Sequence, residues 1–406
     1  MQQLVFLFHR DLRLVDHGGL ECAASIAKEL GVEVLPLFIF TPTQVTRNPY
    51  KSTASIQFMC ESLAELSSAI KATGGTMRFA YGDTVQVLAS IAKLAGVLET
   101  RDYTPFAKSR ETAIATFAKK QGIIYDAVDD VYLAAPGSVR TGTGRVYQKF
   151  TPFYDTVKSR RIPKPRAAVT LPWCTTRIVI EGAVTLKTMQ QRLVGDRDPN
   201  IAPGGRSEGL RQFATIATDY EAAHDDLARE SPHLSAHHHY GTVSIRESYW
   251  ATSNTAYKRQ LWWRDFYGHL MAAFEELYGQ SPWEFQKPPP WRKGEKEVLE
   301  AWKKGATGVD LVDAGIRQML HTGFMHNRTR MVVASWLVKD KGVHWRWGER
   351  FFAQHLVDYD PAQNMMNWIS VASALPFGSP PFRRHDPERS AERFDHNGIY
   401  RRKWLA

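Results

Sequence analysis

The sequence predicts an α/β domain built on a doubly wound parallel sheet, joined by a long connection to an all-α domain. Three observations predict it. The first 150 residues alternate short apolar runs with amphipathic stretches, whereas beyond about residue 207 nearly every segment repeats its apolar residues at helical spacing. All twelve tryptophans lie at or after Trp173, so the two halves build different cores. A chain of 406 residues also exceeds what one core usually spans.

Taken in order, residues 4–8 (LVFLF), 34–40 (VLPLFIF), 76–81 (TMRFAY), 96–100 (GVLET) and 123–128 (IIYDAV) read as strands. Residues 18–29, 53–72, 84–94 and 106–120 between them read as helices, as in the series Ile56, Met59, Leu63, Leu66 and Ile70. Such alternation implies parallel strands covered on both faces. The turn after the first strand, HRDLRLVDHGG, lacks GxGxxG, which argues against a dinucleotide clasp there. The glycines of RTGTGRVY (140–147) suit a hairpin turn. Residues 155–205 carry prolines, mixed charge and the run SRRIPKPR, with no strong period. Helical spacing then covers 207–224, 244–277, 295–304, 309–322, 325–339 and 346–357. The expected domains are 1–130 (α/β), 131–205 (connection) and 206–406 (helical).

Composition excludes several classes. Cys22, Cys60 and Cys174 cannot form a disulfide framework, and none has metal-ligand or iron–sulfur spacing. The opening apolar run is too short for a signal peptide or a membrane span, so a cytosolic or nuclear protein is expected. A formal charge of +10 suits a polyanionic partner.

Three segments concentrate chemistry. In RQLWWRDFYGHL (259–270), Trp263, Phe266 and His269 or Leu270 share a helical face, which core packing alone would explain. In TGFMHNRTRMVVASWLVKD (322–340), Asn327, Arg328, Arg330 and Met331 crowd a helix opening, where arginines and an amide can hold an anion. WRWGERFFAQHLVDYDPAQNMMNW (345–368) supplies Asp358 and Asp360 at a helix end, then Asn364 and Trp368; Asp358 is expected to pair with Arg328. The run His237–His239 is not expected to bind metal, because consecutive side chains diverge on a helix.

These segments, with FHRDLRLVDHGGL (8–20), DYTPFAKSR (102–110), KFTPFY (149–154) and GIYRRKW (398–404), resemble the DNA photolyase and cryptochrome family over almost the whole chain, and most a class I-type cyclobutane pyrimidine dimer photolyase. The resemblance implies a bent FAD in the helical domain. Tyr220, Ser231, Leu234 and Ser235 would contact its phosphates, with His233 where many members carry arginine or lysine. Arg264, Asn327, Arg330, Asp358, Asp360 and Asn364 would surround the flavin ring, Asn364 facing N5; asparagine there implies a preference for the reduced, anionic flavin. Trp368, Trp345 and Trp291 match the chain of indoles that passes electrons to the flavin.

Gln260, Trp263, Asn327 and Met331 would contact a lesion flipped out of UV-damaged DNA. The implied activity is a deoxyribodipyrimidine photo-lyase reaction: the excited reduced flavin lends an electron to the dimer, the ring splits, and the electron returns. Two residues depart from that pattern. Gln260 replaces a glutamate, as in (6-4) photolyases and animal cryptochromes, and Ser370 replaces a second lesion-packing tryptophan. Against a (6-4) photolyase, no histidine follows MHN in RTRMVVAS. Against a cryptochrome photoreceptor, no regulatory tail follows GIYRRKW. A monomer with no membrane contact is expected. The antenna chromophore stays open between a folate, a deazaflavin, a second flavin and none.

Overall fold

The computed structural model describes residues 2–278, 293–373 and 383–406. Six strands form one sheet: β1 (Gln3–Leu7), β2 (Glu33–Phe40), β3 (Arg78–Tyr81), β4 (Leu94–Thr100), β5 (Ile124–Val128) and β6 (Ala183–Val184). Their order is β5-β4-β1-β2-β3-β6, and β1 to β5 pair in parallel. The five strands read from the sequence are therefore present within a few residues of their expected bounds. The sixth comes from the connecting stretch and runs antiparallel to β3, Phe79 opposite Val184. Two residues are too short to carry a period-two signal. A further bridge between Val34 and Trp173 keeps the connecting stretch close to the sheet.

The crossover helices are Gly18–Leu30, Thr53–Ala72, Thr84–Ala89 and Pro105–Gln121. They bury both faces of the sheet. Phe6, Phe8, Phe38 and Phe40 pack with Phe58, Leu63 and Ile70 on one side, and Val5, Leu7, Leu37 and Val97 with Val87 and Ile114 on the other. That is why the central strands read as unbroken apolar runs. The Thr84–Ala89 helix stops short of the expected residue 94, at Ser90, whose hydroxyl donates to the Val87 carbonyl at 2.7 Å. RTGTGRVY is a tight turn closed by Thr141 N to Arg145 O at 2.8 Å, with Gly144 at φ 77°, and no strands flank it. It is a turn without a hairpin.

Beyond residue 205 the described regular structure is helical. The expected 207–224 helix is two, Arg206–Phe213 and Tyr220–His224, and 244–277 is Ile245–Trp250, Thr255–Ala273 and a 3-10 turn. Asn254 restarts the chain by accepting from Tyr257 N at 3.0 Å. Helices Glu295–Lys303, Asp310–Thr322, Asn327–Ser335 and Trp345–His355 stand where expected, the third running on into a π turn at Trp336–Asp340. The helix assumed around His237–His239 spans Leu234–Tyr240, whereas helices Phe150–Val157, Leu186–Leu193, Pro361–Ala372, Pro387–Phe394 and Ile399–Leu405 were not foreseen.

The two halves are tied by buried ions. Arg246 bridges Asp16 (2.9 Å) and Asp130 (2.6 Å), and Arg13 pairs with Asp130. Arg10, just past β1, pairs with Asp360. The Phe150–Val157 helix packs on Thr255–Ala273. Among the described residues, no helix is long and apolar enough to cross a membrane.

Candidate functional site

The three chemically dense segments converge where Thr255–Ala273, Asn327–Ser335, Trp345–His355 and Pro361–Ala372 pack around the connection carrying Asp358 and Asp360. Asp358 binds Arg330, whose Nη2 reaches both carboxylate oxygens (3.1 and 2.9 Å) while its Nε donates to Met325 O at 2.7 Å. The expected Asp358–Arg328 pair does not form. Arg328 turns to Asp225, with Nε 2.7 Å from Oδ1. The reason is helical phase: residues two apart on a helix diverge by about 200°. Burial pushes the Asp358 carboxyl up, but the Arg330 charge and hydrogen bond, with help from the Ser235 hydroxyl, outweigh it and hold the group below the usual range.

Asp360 has two roles. Its side chain caps the Pro361–Ala372 helix, accepting from Gln363 N at 3.1 Å, and it pairs with Arg10 of the α/β domain. The His239 Nδ1 lies 3.6 Å away. Despite burial, Arg10 drives the Asp360 carboxyl far below the ordinary range. Arg10 was not among the expected site residues, although it lies in the FHRDLRL motif.

Arg264 is half-buried, donates to Val131 O at 2.8 Å and lies over the Tyr132 ring at 4.5 Å. Asn364 is half-buried on the fourth residue of its helix. Its Nδ2 donates to Glu349 Oε1 (3.1 Å) and to the Glu349 carbonyl (3.2 Å), which leaves Oδ1 as the group it can offer a ligand. Glu349 itself is fully buried.

Tyr220 and Leu234 are buried, Ser231 is half-buried and Ser235 is exposed at the surface of its helix. Tyr220 packs edge-on against Tyr257 at 5.2 Å. His233 stacks on Phe324 at 4.2 Å, and burial lowers its pKa, so it is not the cation that arginine or lysine would be. His237, His238 and His239 take separate partners: Thr242 Oγ1 (2.8 Å), Ser248 Oγ (2.6 Å) and Asp360. Among the described residues no group of three or more acidic, histidine or cysteine side chains is arranged to hold a metal ion.

Asn327 opens its helix exposed to solvent and Met331, one turn on, is half-buried; Gln260 and Trp263 are half-buried on the neighbouring helix. One face of Trp263 is already covered, since Phe150 stacks on it at 3.6 Å and 8°. Arg259 sits over Phe150 and Tyr154 at 5.5 and 5.4 Å. Trp368 is buried, edge-on to Phe352 at 5.0 Å, and its ring lies 6.3 Å from Trp302, an indole the sequence reading did not single out. Trp345 is half-buried and stacks on His344 at 5.8 Å. Trp291 lies outside the described residues.

Comparison with known proteins places this geometry. Residues 4–170 match the family model described as DNA photolyase, and 257–406 match the FAD binding domain of DNA photolyase. A deoxyribodipyrimidine photo-lyase of Streptomyces griseus is 33% identical over 100% of this chain and 90% of its own length. The chain belongs to the DNA photolyase family. Among solved structures, an archaeal photolyase from Sulfolobus tokodaii with two FAD molecules matches at 32% identity and TM-score 0.87, over 100% of this photolyase and 90% of its own chain. A bacterial class III photolyase from Agrobacterium tumefaciens matches at 28% and 0.86, over 100% and 86%. With a class III enzyme among its neighbours, the narrower class I expectation gives way to the family.

The residues present suit FAD. The Arg330–Asp358 pair, the Arg264 guanidinium and the uncommitted Oδ1 of Asn364 supply cationic, anionic and neutral acceptor groups within one set of packed helices, as a flavin with several polar edges requires.

Proposed function

We propose that this photolyase repairs UV-damaged DNA by light-driven splitting of cyclobutane pyrimidine dimers. The observation that carries the reading is full-length similarity to curated deoxyribodipyrimidine photo-lyases, of which the Streptomyces griseus protein is one, on a chain whose flavin-site residues converge. Bound reduced FAD supplies the photoexcited electron that a dimer accepts and gives back. The protein's part is to hold, orient and keep dry.

Arg264 and the Arg330–Asp358 pair would flank the flavin ring, Asn364 would offer Oδ1 to its N5 edge, and Tyr220, Ser231, Leu234 and Ser235 would hold the phosphates. The missing charge at His233 makes that end of the cradle depend on hydroxyl and backbone donors. Trp263, with Phe150 stacked on one face, would pack its indole against the extruded base, and Gln260, Asn327 and Met331 would complete the lesion wall. Trp368, Trp345 and Trp291 would carry electrons from a reductant in solution towards an oxidised flavin.

The cofactor domain spans 206–406, the 131–205 connection supplies the Phe150 backing, and 1–130 is an antenna-type domain. The Sulfolobus tokodaii relative carries a second FAD, implicated there as a light-harvesting cofactor, which favours a flavin over a folate as the first antenna to test here. The protein acts as a monomer.

Gln260 alone favours the (6-4) lesion. Illuminating the reduced holoprotein with two oligonucleotides, one carrying each photoproduct, separates the readings. Restoration of the cyclobutane dimer supports the proposal, whereas restoration of the (6-4) product alone, or of neither, overturns it.

A further inference from the structure

Behind Asn364 lies a buried acid that the repair reading does not use. Glu349, the fifth residue of the Trp345–His355 helix, is fully buried, and its Oε1 accepts from Asn364 Nδ2 at 3.1 Å and from the Tyr359 hydroxyl at 3.3 Å. The Tyr50 hydroxyl, delivered by the α/β domain, faces the same carboxyl. The loop bearing Tyr50 is fastened to the helical domain, with Gln354 Nε2 donating to Pro49 O at 2.9 Å, Ser55 Oγ donating to Val357 O at 3.0 Å, and Arg350 lying 5.9 Å from the Tyr50 ring centre. The groups that face the acid are thus Tyr50 from the loop, Arg346 on its own helix, Tyr359 from the connection and Asn364 from the next helix.

A carboxyl in this position does something that packing alone would not require. An amide can present either its oxygen or its NH2 to a neighbour, and the two ends are nearly isosteric. Acceptors behind Asn364, here the Glu349 carboxyl at 3.1 Å together with the Glu349 carbonyl at 3.2 Å, force Nδ2 backwards and Oδ1 forwards. A buried acid, even with the Arg346 charge near it, is a costly way to achieve mere filling.

We propose that Glu349, itself held by Tyr50 across the domain boundary, is a positioning residue that fixes which end of the Asn364 amide faces the flavin N5 edge and sets the charge behind it. This deepens the repair reading and rests on its placement of Asn364. Burial pushes the Glu349 carboxyl up to about 7, against the hydrogen bonds from Asn364, Tyr50 and Tyr359 and the Arg346 charge, which pull it down. The acid is therefore poised to switch between a neutral and a charged neighbour of the flavin site around neutral pH, and Tyr50 lowers the pH at which it does so.

The test follows the absorption spectrum of the bound flavin and the infrared carboxylic acid C=O band of the holoprotein through a pH titration, in wild type, Glu349→Gln and Tyr50→Phe. The wild type is expected to show a flavin spectral shift and loss of the acid band with a common midpoint near neutrality. Glu349→Gln loses both, and Tyr50→Phe moves the midpoint to higher pH. A wild-type flavin spectrum that does not change while the acid band titrates would overturn the positioning role, as would a transition that survives in Glu349→Gln. Tyr50→Phe with an unmoved midpoint would remove Tyr50 from the relay. Repair of the dimer is scored on the same wild-type samples, so a protein that repairs without the transition refutes this inference alone. One that shows the transition but restores no dimer refutes the repair reading alone.

Discussion

Gly348→Ala would push directly on the buried indole of Trp368. A Cβ at position 348 would lie 2.2 Å from Trp368 Cη2, 2.7 Å from Cζ3 and 2.9 Å from Leu337 Cδ2. Ordinary contact begins near 3.4 Å, so the ring or the helix must shift by about 1.2 Å. Neither gives easily, because the indole is 2% exposed and wedged between Phe352 and Trp302. Overpacking of this kind costs roughly 1–3 kcal/mol. Against it, alanine recovers about 0.5–1 kcal/mol of helix propensity over glycine, and Gly348 has no positive φ to defend. The net expectation is about 1–2 kcal/mol of destabilisation, read as a lower urea midpoint at unchanged slope. A displaced Trp368 should also slow photoreduction of the oxidised flavin by a reductant in solution. A variant as stable as wild type, with unaltered photoreduction, would refute both the packing and the relay role assigned to this indole.

Three further outcomes are expected. Asp358→Ala strands the Arg330 guanidinium, 24% exposed, and should cost about 3 kcal/mol and weaken retention of FAD, whereas Arg328→Ala breaks a pair 34% and 29% exposed and should cost under about 1 kcal/mol; equal losses in denaturation would contradict the pairing. The contribution of Glu349 and Asp265 to stability should fall as pH rises from about 4.5 to 7, because the unfolded forms release protons that burial makes the folded forms keep until about 7; Glu349 contributes at most roughly 3 kcal/mol of this, and Glu349→Gln should remove that share from a melting-temperature profile. His237 and His326, which burial holds neutral down to about 4 and about 3, act with the opposite sign over the overlapping range from about 6.5 downwards, because acid charges them first in the unfolded chain, so the Glu349 contribution is read as the difference between the wild-type and Glu349→Gln profiles. Finally, affinity for dimer-containing DNA should drop linearly in log K against log salt, by about 0.9 per phosphate neutralised, and a flat response in a filter or fluorescence titration would exclude the lysine and arginine contacts.

What the sequence could disclose follows from the range of the signal. The five parallel strands were legible because each is an apolar run long enough to stand out, and the Thr53–Ala72 helix because Ile56, Met59, Leu63, Leu66 and Ile70 repeat over its length. Helix starts were blurred at the places that matter. His17, His326 and His344 cap three helices through ring Nδ1 atoms that accept from Leu20, Arg328 and Arg346 N at 3.2–3.3 Å, and histidine is not among the residues that announce a cap. On the Asn327 helix Arg328 and Arg330 point apart, but spacing alone does not say which of the two faces the Asp358 connection, and Asp358 was given the wrong partner. A capping Nδ1 must also be unprotonated, which agrees with the low pKa of His326.

The site residues came from motif resemblance, which carries positions already assigned in relatives and stays silent on what stands behind them. Arg10 reaches Asp360 across 350 residues of chain, and Phe150 reaches Trp263 from the KFTPFY motif, to which no site role was given. Tyr50 and Glu349 belong to the same class: neither lies at a spacing that local period can detect, and their meeting exists only once the α/β domain is docked. Motif resemblance could thus assign residues to the flavin, whereas the groups that stand behind them depend on tertiary closure. Substitutions at Tyr50 or Arg10 should accordingly alter flavin behaviour while leaving every recognisable motif of the helical half intact.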